Sequence, residues 1–150
     1  MGLGLLCGIS LIKSISMVQV ELSKIIIDEK RHDQVIVLKE VDGERFLPIV
    51  IGLPEATSIK MKISGFDPPR PLTHDLLKSV IESLGARLKF VVVDKLQFNT
   101  FHAKVVLEKE DGSEVWVDAR PSDSVALALR VEAPIFVEEE VLNSADMFEV

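Results

Sequence analysis

"TFHAKVVLEKEDGSEVWVDARPSDSVALALRV", residues Thr100–Val131, decides the fold. "TFHAKVVLE" alternates, so Phe101, Ala103, Val105 and Leu107 point to one side of a strand. "EDGS" at Glu110–Ser113 marks a hairpin turn, and "EVWVDA" pairs back. Pro121 then opens "PSDSVALALRV", which is apolar nearly all round and therefore reads as a buried helix. The unit is a hairpin followed by a helix that packs on it.

The same order appears earlier in the chain. Asp42–Gly43 turns "QVIVLKEV" into "ERFLPIVIG", where Pro48 points to an edge or a bulge. Pro54 then opens a helix with Glu55 in its first turn, Ile59 and Ile63 forming its face and Gly65 ending it. The echo suggests an internal duplication. "VQVEL" running into "SKIIID" reads as a strand that grows more buried, and "ARLKFVVVDKL" as a buried strand. "APIFVEEEVL" reads as a short strand and a helical turn. No β-α-β alternation with Gly-rich phosphate loops occurs, which argues against a nucleotide fold. The expectation is an α+β fold: one compact domain with a mainly antiparallel or mixed sheet and three main helices packed on it.

The chain has 150 residues, 47% hydrophobic and 27% charged, which suits one soluble domain. Seven Phe, one Trp and no Tyr leave the core mostly aliphatic. The single cysteine, Cys7, excludes an internal disulfide and a Cys-based zinc site, and fits a reducing cytoplasmic setting. The net charge of −7 counts against a broad basic nucleic-acid surface, but leaves room for a small site that uses a divalent cation. Residues 1–16, "MGLGLLCGISLIKSIS", are unlike the rest. No positive charge precedes the apolar run, and the run is too short and broken to span a membrane. The expected domain is 17–150, with 1–16 a doubtful leader: either translation starts at Met17, or the leader is a disordered or docked extension.

Two helix entrances concentrate the chemistry: "RPLTHD" at Arg70–Asp75 and "DARPSD" at Asp118–Asp123. Local capping explains much of both. Thr73 is a natural N-cap with Asp75 complementing the helix dipole, and Ser122 or Asp123 can serve the second helix, at about 1 kcal/mol per cap. The helix after Thr73 places Leu76, Leu77, Val80, Ile81 and Leu84 on one face. Capping does not require His74, Arg70 or Arg120. An imidazole beside Asp75 is a general-base candidate, an Arg can grip a phosphate, and Asp75, Asp118 and Asp123 are candidate ligands for Mg²⁺ or Mn²⁺. His102 lies on the strand face opposite Phe101 and Ala103 and reads as facing solvent or an interface, and His32, in a polar loop, reads as solvated. Glu138–Glu140 reads as a solvated charge run.

Taken in order, "LPIVIG", "PRPLTHDLL", "NTFHAKV", "DARPSDSVALALR" and "APIFVEEEVL" resemble the bifunctional nuclease domain family over Met17–Leu142. The resemblance implies an α+β domain that self-associates, a dimer being favoured. It also implies nuclease activity on RNA and DNA, the alternative being a non-catalytic homo-oligomeric interaction module. Matching positions are Arg70, His74 and Asp75, then Asp118, Arg120 and Asp123, with Glu55 in a third segment. His102 stands where relatives more often carry an aromatic residue, which removes it from any shared mechanism. The expected partners are nucleic acid and a second copy of the chain, with no membrane.

Overall fold

The alternating stretch becomes the fifth of the seven described strands, and the helix that follows lies on their sheet. The structure, a computed structural model, describes residues 16–145. β1 spans Met17–Ile26, β2 Gln34–Glu40 and β3 Phe46–Ile51; α1 is Leu53–Ile63 and α2 Thr73–Ser83. β4 (Arg87–Gln97), β5 (Thr100–Glu108) and β6 (Glu114–Ala119) follow, then α3 (Pro121–Val131), β7 (Ile135–Glu138) and α4 (Glu139–Ala145). The class is the expected one. α4, read from sequence as a helical turn, adds a fourth helix among the described residues.

The sheet order is β3-β2-β1-β7-β4-β5-β6. All neighbours are antiparallel except β4 and β7, which run parallel. The echo read from sequence is therefore larger than a hairpin and helix. β1-β2-β3-α1 and β4-β5-β6-α3 are two like units whose meanders run to opposite edges, with β7 between them. Both helices begin immediately after a third strand, with Pro in the first turn, and α1 packs against α3. Pro48 lies on β3, an edge strand that can spare the missing N–H.

The core forms where one sheet face meets the helices. Ile36, Leu38 and Leu47 from the first unit join Ala103, Val105, Val125 and Leu127 from the second. α3 is the most buried helix, as its apolar composition required, and each of its buried Val and Leu side chains contributes about 1.5–3 kcal/mol. On the opposite sheet face Phe90 packs edge-on to Trp116 and Phe136, at 5.7 and 5.5 Å between ring centres. That aromatic group lies beside Val92 and Val106, which are buried outside the main core.

Four expectations need correction. β1 becomes less buried along its length, because β7 covers only Met17–Val20, and Ile26 ends exposed. Ile63 is exposed at the end of α1, while Ile59 is fully buried. Leu76, Leu77, Val80 and Leu84 face outward, so the apolar stripe of α2 is not core. Glu138–Glu140 is only partly a solvated run. Glu139 takes Arg45 Nη1 at 2.7 Å, and the same guanidinium holds Glu40, which ties the β2–β3 hairpin to α4. The expectation for residues 1–16 lies outside the described residues except at Ser16, which hydrogen-bonds Glu138 and accepts the Glu139 N–H. No described helix is long and apolar enough to cross a membrane.

Candidate functional site

Three helices meet around His74. Leu72, not Thr73, is the N-cap of α2, and Thr73 is its first helical residue. That places Asp75 at the third helical position, where its Oδ2 accepts the Leu72 N–H at 2.9 Å. At α3 the N-cap is Arg120 and Pro121 follows, so neither Ser122 nor Asp123 caps. Ser124 bonds back to the Arg120 carbonyl instead. Released from capping, the Asp123 side chain turns toward α2.

The polar side chains form one continuous chain of contacts. Glu55 Oε1 accepts from Arg120 Nη2 at 3.1 Å, and Arg120 Nε donates to Asp123 Oδ2 at 2.8 Å. Asp123 Oδ1 meets His74 Nε2 at 2.8 Å, and His74 Nδ1 meets the Ser58 hydroxyl at 2.8 Å. Arg130 Nη2 donates to the Ser58 hydroxyl at 2.9 Å, and its Nε donates to Asp75 Oδ1 at 2.7 Å. One protonation pattern satisfies every member with a neutral ring. Nε2–H donates to the Asp123 carboxylate, Nδ1 accepts the Ser58 hydroxyl proton, and the Ser58 oxygen accepts from Arg130.

Electrostatics follow from these contacts. Burial alone would raise the Asp75 carboxyl, but the Leu72 N–H and the Arg130 guanidinium outweigh it and hold the group below its ordinary value. Burial likewise opposes ionisation of Asp123, and hydrogen bonds from Arg120 and His74 reverse the balance. Both carboxylates are thus poor proton acceptors near neutrality. Asp123 instead orients the imidazole, leaving the exchangeable proton at Nδ1 and Ser58.

A cleft of about 480 Å³ opens over this chain, lined by Glu55, Ser58, His74, Arg120 and Asp123, with Leu53, Pro54, Met61 and Leu72 as apolar walls. Arg120 is 65% exposed on the rim, and its Nη1 has no partner among the described residues. The structure therefore brings together His74, Asp75, Arg120, Asp123 and Glu55. Arg70 is exposed in the connector, outside the residues lining the cleft. Asp118 sits on β6 and pairs with Lys104 at 3.4 Å, which also holds Asp94. Two participants escaped the sequence reading: Ser58, and Arg130, whose side chain is 4% exposed. A cation in an otherwise apolar buried helix was the available signal for Arg130.

The donor set does not fit a resident divalent ion. Asp75 and Asp123 spend their oxygens on Arg130, Arg120, His74 and a backbone N–H, and Asp118 faces a lysine. No described group of three His, Cys, Asp or Glu side chains is arranged to hold a metal.

Comparison with known proteins bears on this arrangement. Residues 36–149 match the family described as the bifunctional nuclease domain, from within β2 to beyond α4. The chain belongs to the bifunctional nuclease domain family. It is 44% identical over 131 residues to an uncharacterized protein of Mycobacterium tuberculosis (strain ATCC 25618 / H37Rv), covering 87% of this chain and 77% of that one. Bifunctional nuclease 2 of Oryza sativa subsp. japonica is 28% identical over 121 residues, 79% of this chain and 37% of that protein. Bifunctional nuclease 1 of Arabidopsis thaliana is 28% identical over 115 residues, 75% and 35%. The chain thus spans little more than a third of these plant relatives. The family match takes in His74, Arg120, Asp123 and Glu55 together.

Proposed function

We propose that this chain hydrolyses phosphodiester bonds of RNA and DNA in the cleft over His74, through its own side chains. The observation that carries the reading is the coupling of His74 to Asp123 and Ser58 beneath the exposed guanidinium of Arg120. Arg120 Nη1 grips a non-bridging phosphate oxygen. A water on the cleft side of Ser58 gives a proton to the Ser58 oxygen while the Ser58 hydroxyl proton passes to His74 Nδ1. The resulting hydroxide attacks phosphorus, and the proton held at Nδ1 returns along the same path to the departing oxygen. Asp123 steadies the imidazolium between the two transfers, and Arg120 offsets charge on the phosphorane oxygens. Membership of a family with relatives named bifunctional nuclease supports the substrate class.

The test is cleavage of single-stranded RNA and DNA by the full chain with Mg²⁺, Mn²⁺ or chelator, beside His74→Gln and Arg120→Gln purified identically. Cleavage that survives chelator and falls by about 100-fold or more in folded His74→Gln is the expected result. Equal activity in both variants would place the reaction elsewhere or in a contaminant.

A second reading is a non-catalytic interaction module. It is favoured by the internal pairing of both His74 nitrogens and both Asp123 oxygens. On that reading the wild type cleaves nothing, and His74→Gln lowers the melting temperature.

A further inference from the structure

α2 is turned the opposite way from an ordinary surface helix. Its inward side carries His74, Asp75, Lys78 and Ile81, of which only His74 is buried. The pairing of His74 with Ser58 and Asp123, and of Asp75 with Arg130, fixes this rotation. The apolar stripe is left in solvent: Leu76 is 56% exposed, Leu77 42%, Val80 44% and Leu84 81%. A contiguous apolar stripe of this size, on a helix already held by its polar side, marks a contact surface.

We propose that this stripe is the contact between two copies of the chain, paired antiparallel about a two-fold axis at Val80. Three observations select a second copy as the occupant. The first is symmetry. Leu76 and Leu84 lie equally far from Val80, so the two-fold sets each Leu76 against the partner's Leu84 and joins the two Val80 side chains. The second is charge. The molecule carries a net −7, so two copies repel over most of their surfaces. The stripe and its flanks, Ser79 and Ser83, contain no charged residue. Those two serines are small enough for helix axes to approach to roughly 8–10 Å. The third is area. The four aliphatic side chains expose on the order of 400 Å², about half of what one partner contributes to a standard interface, with the polar rim supplying the rest. The inference is independent of whether the cleft cleaves nucleic acid.

Sedimentation velocity of the full chain at about 20 μM is the first arm, beside Val80→Glu. The wild type is expected to run as a dimer. Val80→Glu is expected to run as a folded monomer with an unchanged circular dichroism spectrum, its dimer constant weakened by at least about 100-fold. The second arm uses mild oxidation of Val80→Cys in a Cys7→Ser background, which is expected to give a covalent dimer. Lys109→Cys, on the exposed turn region after β5, is expected to give none. A monomeric wild type overturns the proposal. So does a dimer that Val80→Glu leaves intact, since the copies would then meet elsewhere. In a chain that keeps Cys7, an intramolecular disulfide between Cys7 and the new thiol overturns it too, and assigns the stripe to the N-terminal segment.

Discussion

Arg130 and Arg70 are both arginines near a helix end, and only their surroundings separate them. Arg130 is buried and satisfies Asp75, Ser58 and the Ala126 carbonyl. Arg130→Ala strands a partly buried carboxylate and is expected to cost on the order of 3 kcal/mol. Arg70→Ala, in an exposed connector, is expected to stay within about 0.5 kcal/mol. Paired urea unfolding curves decide both. Acid separates the carboxylates in the same way. In the unfolded chain an Asp titrates near 3.9, whereas Asp75 and Asp123 titrate lower when folded. The unfolded state therefore takes up protons first. Their stabilisation is complete above about pH 5 and is lost as pH falls through the lowered folded values. Asp123→Asn is expected to flatten this acid limb in stability measured from about pH 6 to pH 2.5. Parallel limbs for variant and wild type would count against it.

The residue scale also marks the limit of sequence reading. His74 and Arg120 stood out because capping did not need them, whereas Asp123 was at once a capping candidate and a candidate ligand. Arg130 did not, because a basic residue in the last turn of a helix already has a local explanation in the dipole. Ser58 carried no local signal at all, since a single hydroxyl within a helix is common. Asp118 was misplaced for a different reason. Its proximity to Asp123 in sequence crosses the end of β6, where the chain changes direction and the two carboxylates part.

At the scale of elements, strands and hairpins were legible because alternation and turn residues are local. The orientation of α2 was not. Periodicity locates an apolar stripe but says nothing about which way it faces once stronger polar contacts hold the other side. The β4–β5 hairpin shows a local rule broken. Phe98 and Asn99 both adopt left-handed φ values, 52° and 60°, in a two-residue turn, and Phe98 is 91% exposed. A bulky residue pays for that conformation with about 1–2 kcal/mol and gains no burial here. Replacing the pair by Asn-Gly, through Phe98→Asn with Asn99→Gly, is expected to stabilise the chain by about 1 kcal/mol and raise its melting temperature. A lower melting temperature would show that the Phe98 ring holds the turn.

At the scale of the molecule, the two repeats put the cleft at their meeting point, with Glu55 from α1 facing Arg120 and Asp123 from α3. The whole is acidic, so on the proposed function any attraction to nucleic acid is local to the cleft rather than spread over a broad basic surface. A site that engages one or two phosphates of a single strand gives a slope of log affinity against log salt of roughly −0.7 to −1.4. Arg120→Gln is expected to make that slope shallower by about 0.7, as fluorescence anisotropy of a labelled single strand between about 25 and 200 mM salt would measure. A steep slope left unchanged by the substitution would place the binding surface away from this cleft.

The position of β7 has a consequence for synthesis. The strand that joins the two meanders is the last of the described strands, and β1 and β4 touch it rather than each other. As the polypeptide leaves the ribosome, both meanders can form while each still offers a bare inner edge. Until Ile135–Glu138 emerges, a nascent chain is two half-sheets waiting for a common seam, and in that interval each edge is open to a stranger's strand.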